Sequence, residues 1–248
     1  MVWGIDKFRE YFKEYSKQYV LIGGAACDIS FAENASEFRA TRDLDMVLIV
    51  EAKSKEFGAQ FWKFIQEGGY HNRVKSNGRP RFYRFEKPSE EGFPQMIELF
   101  SRTEMILEET QVIPLHIDDS VPSLSAILLN DEYYQVLLEG CAVINDISIL
   151  KPTYLIPFKA RAWLDLSFRK EQGECIDSRD IKKHKNDILR LSTELVLESN
   201  VSLPKLVRAD METFIERLRN EPADLKNLKI TGVSNEDIVK LLEDTYLT

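Results

Sequence analysis

The sequence predicts an α/β (α+β) front followed by a helical back, and three observations carry that prediction. Up to residue 150, short apolar runs bounded by glycine or polar turns alternate with stretches of helical periodicity. After Lys151-Pro152 the periodicity is helical alone. Within the front, Asp43-Leu44-Asp45-Met46-Val47-Leu48-Ile49-Val50 is apolar on both faces except at its start, which is the pattern of a central strand covered on both sides. The expected domains are 1–150, α/β, and 151–248, helical; 248 residues accommodate two modest domains or one large one.

Each element has its own reason. Phe8, Tyr11, Phe12 and Tyr15 recur at helical spacing among charged residues, so 6–16 reads as an amphipathic helix. Tyr19-Val20-Leu21-Ile22 is a short buried strand, ended by Gly23-Gly24, and the small residues Ala25 and Ala26 lead into a helix through Phe31. A polar stretch, 33–42, precedes the central strand. Phe57, Phe61, Phe64 and Ile65 give 54–67 a helical core face. Asn77-Gly78 marks a turn, Arg81–Phe85 and Gln95–Phe100 read as strands around a solvated loop, and 112–117 is a further strand candidate. Residues 123–138 show no clear period, and 141–150 reads as one or two strands. Helices are expected near 154–169, 179–197, 203–220 and 235–246, the last opened by the capping-box pattern Ser234-Asn235-Glu236-Asp237.

Composition excludes several classes. Hydrophobic residues at 44% and charged residues at 30% fit a folded globular chain and rule out a disordered or fibrous one. No apolar run approaches the roughly 18 residues that a membrane helix needs. The net charge of -8 argues against a surface devoted as a whole to nucleic acid, though not against a local basic site. Cys27, Cys141 and Cys175 form no CxxC pair and no zinc spacing with His71, His116 or His184, which points to a reducing, cytoplasmic setting. The first residues lack the basic and apolar regions of a signal peptide, so the fold is expected to begin near residue 5.

The chemistry concentrates at the start of the central strand. Asp43 and Asp45 are two apart, so both carboxylates point to one face, where their repulsion calls for a divalent cation; hard oxygens with room for water and phosphate suit Mg²⁺. Glu98 shares a strand face with Met96 and Phe100, an odd place for a charge unless the sheet opens there on a cleft, and a third carboxylate would complete a two-ion site. Taken alone, a DxD at a strand start is commonly a solvated edge and a Gly-Gly commonly only a turn. Their order is more specific: strand, glycine turn and helix start able to receive phosphate, then the DxD strand, then a later acid.

That order resembles the nucleotidyltransferase superfamily of the polymerase-beta type, through Ile22-Gly23-Gly24, Asp43-Leu44-Asp45-Met46 and Glu98. Within it, Val20–Ala26 followed by Arg39-Ala40-Thr41-Arg42-Asp43-Leu44-Asp45 looks most like the abortive-infection AbiEii/AbiGii toxin group. The resemblance covers 19–49 and extends to Glu98, and the helical half is similar mainly in layout. It departs at Ala25, where Thr or Ser is usual, and in the long gap between Gly24 and Asp43. It implies a nucleotidyltransferase core with a mixed sheet, Asp43, Asp45 and Glu98 as catalytic metal ligands for one or two Mg²⁺ ions, and Gly23, Gly24 and Thr41 in nucleotide binding. The implied reaction moves a nucleoside monophosphate from an NTP to an acceptor hydroxyl, such as an RNA or tRNA end, with a cognate antitoxin protein as a partner and no membrane association. A small cationic acceptor of the aminoglycoside kind and a non-catalytic nucleotide- or partner-binding module are the alternatives.

Leu155, Lys159, Ala162 and Leu166 share a helical face, so Lys159 either snorkels to the surface or reaches a buried anion. The resemblance favours an active-site or phosphate role for Lys159 and extends it to Lys185 and Asp187; the alternative for 182–187 is a solvated charge cluster. Arg73, Lys75, Arg79, Arg81 and Arg84 form either a phosphate-facing stripe or edge charges that block sheet pairing, with the edge reading favoured.

Overall fold

A computed structural model describes residues 2–33, 41–49, 54–74, 80–100, 105–107, 110–112, 127, 130–193, 195 and 200–248. The Asn77-Gly78 turn, Arg39, Lys75, Arg79 and the strand candidate beyond Val112 lie outside these residues. Two compact units emerge, one from Met1–Val121 with Cys141–Lys151, the other from Pro122–Gly140 with Pro152–Thr248.

The first unit is built on a mixed seven-stranded sheet in the order β3-β4-β5-β2-β1-β9-β8. Its strands are β1 (Tyr19–Ile22), β2 (Asp43–Leu48), β3 (His71–Val74), β4 (Pro80–Glu86), β5 (Met96–Phe100), β8 (Cys141–Ile144) and β9 (Ile147–Leu150). A separate two-stranded ribbon pairs β6 (Met105–Leu107) with β7 (Thr110–Val112). β2 occupies the middle of the large sheet and is buried from Met46 onward, as its two-sided apolar sequence requires. It runs antiparallel to β1 and parallel to β5. The 141–150 region is a hairpin: Ile144 faces Ile147, and Asn145 and Asp146 both take positive φ (48° and 63°). Two left-handed residues in a two-residue loop make the turn that matches the twist of the strands, and Asn and Asp tolerate that conformation.

The pleat sorts the sheet into two faces. Tyr19 and Leu21 of β1, Leu44, Met46 and Leu48 of β2, Ile97 of β5 and Phe85 of β4 fall on one side. There they meet α1 (Ile5–Phe12) and α3 (Lys55–Glu67). Phe8 and Phe12 from α1 and Phe57, Phe61 and Phe64 from α3 are almost completely buried. Edge-on ring contacts, Phe8 to Tyr19 at 5.3 Å and Phe61 to Phe85 at 5.5 Å, lock both helices to the strands. α1 ends earlier than expected and tightens into a 3-10 turn at Lys13–Tyr15. The opposite face carries Val20, Ile22, Val47 and Phe100 and, toward the start of β2, the polar residues of the candidate site.

The second unit is helical: α4 (Asp131–Glu139), α5 (Pro152–Glu171), α6 (Ser178–Ser192), α7 (Lys205–Asn220) and α8 (Asn235–Tyr246). α5 starts on Pro152 itself, whose fixed φ and missing N–H suit the first helical position. The Ser234/Asp237 capping box is present, with both reciprocal hydrogen bonds. Where one cut after residue 150 was expected, the α4 segment clusters with the later helices instead. Two polar contacts tie α4 to α7, and a third joins α5 to the same Asp210. The buried Tyr133 hydroxyl donates to Asp210 Oδ2 at 2.8 Å, and Arg161 Nη1 donates to Asp210 Oδ1 at 3.0 Å. Glu132 Oε2 accepts from the Leu206 amide at 2.7 Å, so an acid on α4 satisfies an amide in the first turn of α7, whose N-cap, Pro204, makes no side-chain cap bond. Burial and the Asp210 carboxylate together push the Tyr133 hydroxyl far above its usual pKa, so it stays a donor.

Among the described residues no helix is long and apolar enough to cross a membrane. All three cysteines are free thiols, Cys27 buried, Cys141 half-buried and Cys175 exposed; burial raises the Cys141 pKa to about 11.

Candidate functional site

The strand register brings the expected acids into adjacent positions. Asp45 lies directly across from Glu98 on β5 and from Ile22, the last residue of β1. Asp43 is one pleat earlier on the same face, opposite Met96. Adjacent strands are about 4.8 Å apart, so Asp45 and Glu98 issue from neighbouring backbones. Asp43 is exposed, Asp45 half-buried and Glu98 only 8% exposed.

The glycine turn explains how Asp45 is accommodated. β1 ends at Ile22 and α2 (Gly23–Glu33) begins at once, with Gly23 at φ +66°. A Cβ on Gly23 would overlap Asp45 Oδ2, so the missing side chain leaves room for that carboxylate over the helix start. The Cys27 thiol donates to the Gly23 carbonyl at 3.1 Å, while Gly24, Ala25 and Ala26 are buried. The turn therefore both starts a helix at a phosphate-receptive end and holds an acid there. Gly23→Ala combines a left-handed backbone with a steric overlap. It is expected to lower stability by about 1–3 kcal/mol in urea unfolding and to weaken divalent-cation binding through displacement of Asp45.

Glu98 has a specific partner. Arg84 on β4 is directly across from it in the register, and Arg84 Nε donates to Glu98 Oε1 at 2.6 Å, with Nη2 contacting the same oxygen. Arg84, Glu98 and Asp45 thus form one cross-strand row, the cation at one end and two carboxylates beside it. The edge reading of Arg84 does not hold, because β3 pairs with β4 and takes the edge position. No strand is expected from the sequence at His71–Val74, where β3 lies. Among the described residues, no group of three or more His, Cys, Asp or Glu side chains lies close enough to hold a metal ion. Asp43 and Asp45 do suit one: two carboxylates on one strand face, one of them open to solvent, are the usual protein share for Mg²⁺, which keeps waters and substrate phosphates as its other ligands. Thr41 is buried just before β2, and its carbonyl accepts from the Trp3 amide.

In the helical unit, Lys159 on α5 and Asp187 on α6 find each other. Lys159 Nζ donates to Asp187 Oδ2 at 2.8 Å, with side chains 8% and 1% exposed. Arg190 Nη1 lies 3.9 Å from Asp187 Oδ1. Lys159 therefore reaches a buried anion supplied by the protein. Lys185 Nζ donates to the Glu221 carbonyl at 2.6 Å and lies 5.9 Å from the Trp163 ring centroid; partial burial lowers its pKa. Lys182 and Lys183 are exposed, as the solvated reading of that run expects. The buried Asp210 was missed by sequence reasoning, and Arg84 was placed only as a charge on one side of its strand; its partner is set by strand register.

A scan of family models, a search of curated proteins and a search of solved structures found no match to this chain.

Proposed function

We propose that this protein is a Mg²⁺-dependent nucleotidyltransferase that moves a nucleoside monophosphate from an NTP to an acceptor hydroxyl, such as an RNA end. The observation that supports this most is Asp45, a carboxylate on the central strand held over the glycine-opened start of α2, with Asp43 on the same face. A helix start attracts phosphate, yet this one carries an acid. Phosphate approaches such a place favourably only with a cation between. Asp43 and Asp45 would hold that cation, and the amides at the start of α2 would receive phosphate oxygens. When bound, Mg²⁺ neutralises charge on the polyphosphate. The acceptor oxygen bonds to the α-phosphorus as the bond to the pyrophosphate oxygen breaks, the acceptor proton passing to solvent or a carboxylate. Positioning and charge neutralisation carry most of such a reaction.

The test is incubation with each labelled NTP, Mg²⁺ and total small RNA. Labelled RNA is expected, with transfer falling steeply as salt rises because several phosphates are bound at once. Transfer to an aminoglycoside with a flat salt response identifies the small-acceptor alternative. The pairing of Glu98 with Arg84 favours a second reading, a nucleotide-binding module without turnover, which predicts NTP binding and no labelled product.

A further inference from the structure

The two edges of the large sheet are built differently. At one, β3 contains Arg73 and shifts register against β4 between Asn72 and Val74, a charge and an irregularity of the kind that keep an edge from taking another strand. At the other, β8 reads Cys141-Ala142-Val143-Ile144, with no charge, no proline and an unbroken register along β9. Among the described residues no strand pairs beyond it. Val143 is 58% exposed, the most open large hydrophobic side chain among the described residues, and Ala142 and Ile144 beside it are half-buried. The hairpin also fixes which backbone groups face outward. Ile144 and Ile147 flank the two-residue loop and so form a hydrogen-bonded pair, and along an antiparallel ladder such pairs alternate with pairs that exchange no bonds. Val143, opposite Ser148, is of the second kind, so its N–H and C=O point away from β9 to the open edge. One residue thus offers both a donor and an acceptor, which is what two antiparallel copies of it need to exchange a pair of bonds. The chain carries a net charge of -8, yet β8 presents no charge to a copy of itself.

We propose that β8 is an interface with a second copy of this chain: the two edge strands run antiparallel about a two-fold axis at Val143, whose N–H and C=O bond to the same groups of the copy. The two valine side chains meet beside the axis, and Ala142 of each copy lies opposite Ile144 of the other, so every cross-strand pair is apolar. The sheet then continues from one copy into the next. An overlap limited to residues 142–144 falls well below the roughly 800 Å² per partner of a standard stable interface, so the association is reversible and depends on concentration. This interface is independent of the reaction proposed above.

The test is sedimentation velocity of the full chain over a concentration series, on wild type, Val143→Thr, Val143→Lys and Val143→Pro. Wild type and the β-branched Val143→Thr are expected to pass from monomer to dimer as concentration rises. Lysine sets like charges directly opposite each other, and proline removes the outward N–H, so each should weaken dimerisation about tenfold or more. Neither change touches a bond of the β8–β9 ladder, and circular dichroism checks that both variants stay folded. The register is read separately, from Val143→Cys in a Cys141→Ser/Cys175→Ser background. Hydrogen-bonded residues directly opposite each other have Cα atoms about 5.5 Å apart, within the span of a disulfide, so mild oxidation should link two copies there. Val233→Cys in the same background, an exposed position in the helical unit, should not cross-link. A wild type that stays monomeric at every concentration overturns the proposal and leaves the edge to a strand of another protein. A dimer undiminished in folded Val143→Lys and Val143→Pro, or equal cross-linking at 143 and 233, overturns it as well by placing the contact elsewhere.

Discussion

Asp45→Asn is expected to reduce Mg²⁺-dependent nucleotide transfer by about 10³-fold or more, the scale seen when a group that stabilises transition-state charge is removed, while the fold survives. The reason is local. Asn has nearly the shape of Asp, so the oxygen over Gly23 can be replaced without a hole or a clash. What disappears is the negative charge, and with it the reason for a cation to sit between the carboxylate and phosphate at the start of α2. Asp43→Asn is the cleaner partner experiment because Asp43 is exposed, and its replacement touches no packing. A comparable loss of transfer is expected there, with an unfolding midpoint unchanged from wild type. Product formation from labelled NTP, measured with urea unfolding on the same preparations, checks both. Wild-type turnover in either folded variant would remove the acids from the mechanism.

Much of the first unit was readable because its signals are local. A strand apolar on both faces has to be central, and β2 is; a glycine pair after a short apolar run ends a strand, and Gly23 does so with a positive φ. The parts that escaped depend on partners far away in sequence. α4 has an ordinary mixed composition, and its place with the later helices is set by Tyr133, Glu132 and their partners 74 to 77 residues downstream. Arg84 could be assigned a side of its strand, yet its role depends on which strands flank β4. The acids of the site were legible as residue types at a spacing. That Glu98 is committed to Arg84, while Asp45 is placed over a helix start, follows from strand order and register, which no local pattern states.

The largest stability effect is expected in the helical unit, at Lys159. Lys159→Met removes the ammonium from a carboxylate that is 1% exposed, leaving Arg190 Nη1 at 3.9 Å from the other oxygen. Breaking one side of a buried pair typically costs about 3–5 kcal/mol, because the remaining charge stays desolvated. Removing both charges is a different matter: Lys159→Met/Asp187→Leu replaces the pair with apolar volume and should recover most of that loss. Urea unfolding monitored by circular dichroism reads both variants, and a near-neutral Lys159→Met would show that the pair is solvated in practice. The double variant also separates two roles that the single variant confounds. If it folds and still transfers nucleotide, Lys159 and Asp187 serve to join α5 to α6. If it folds and transfer is lost, the pair does more than join α5 to α6.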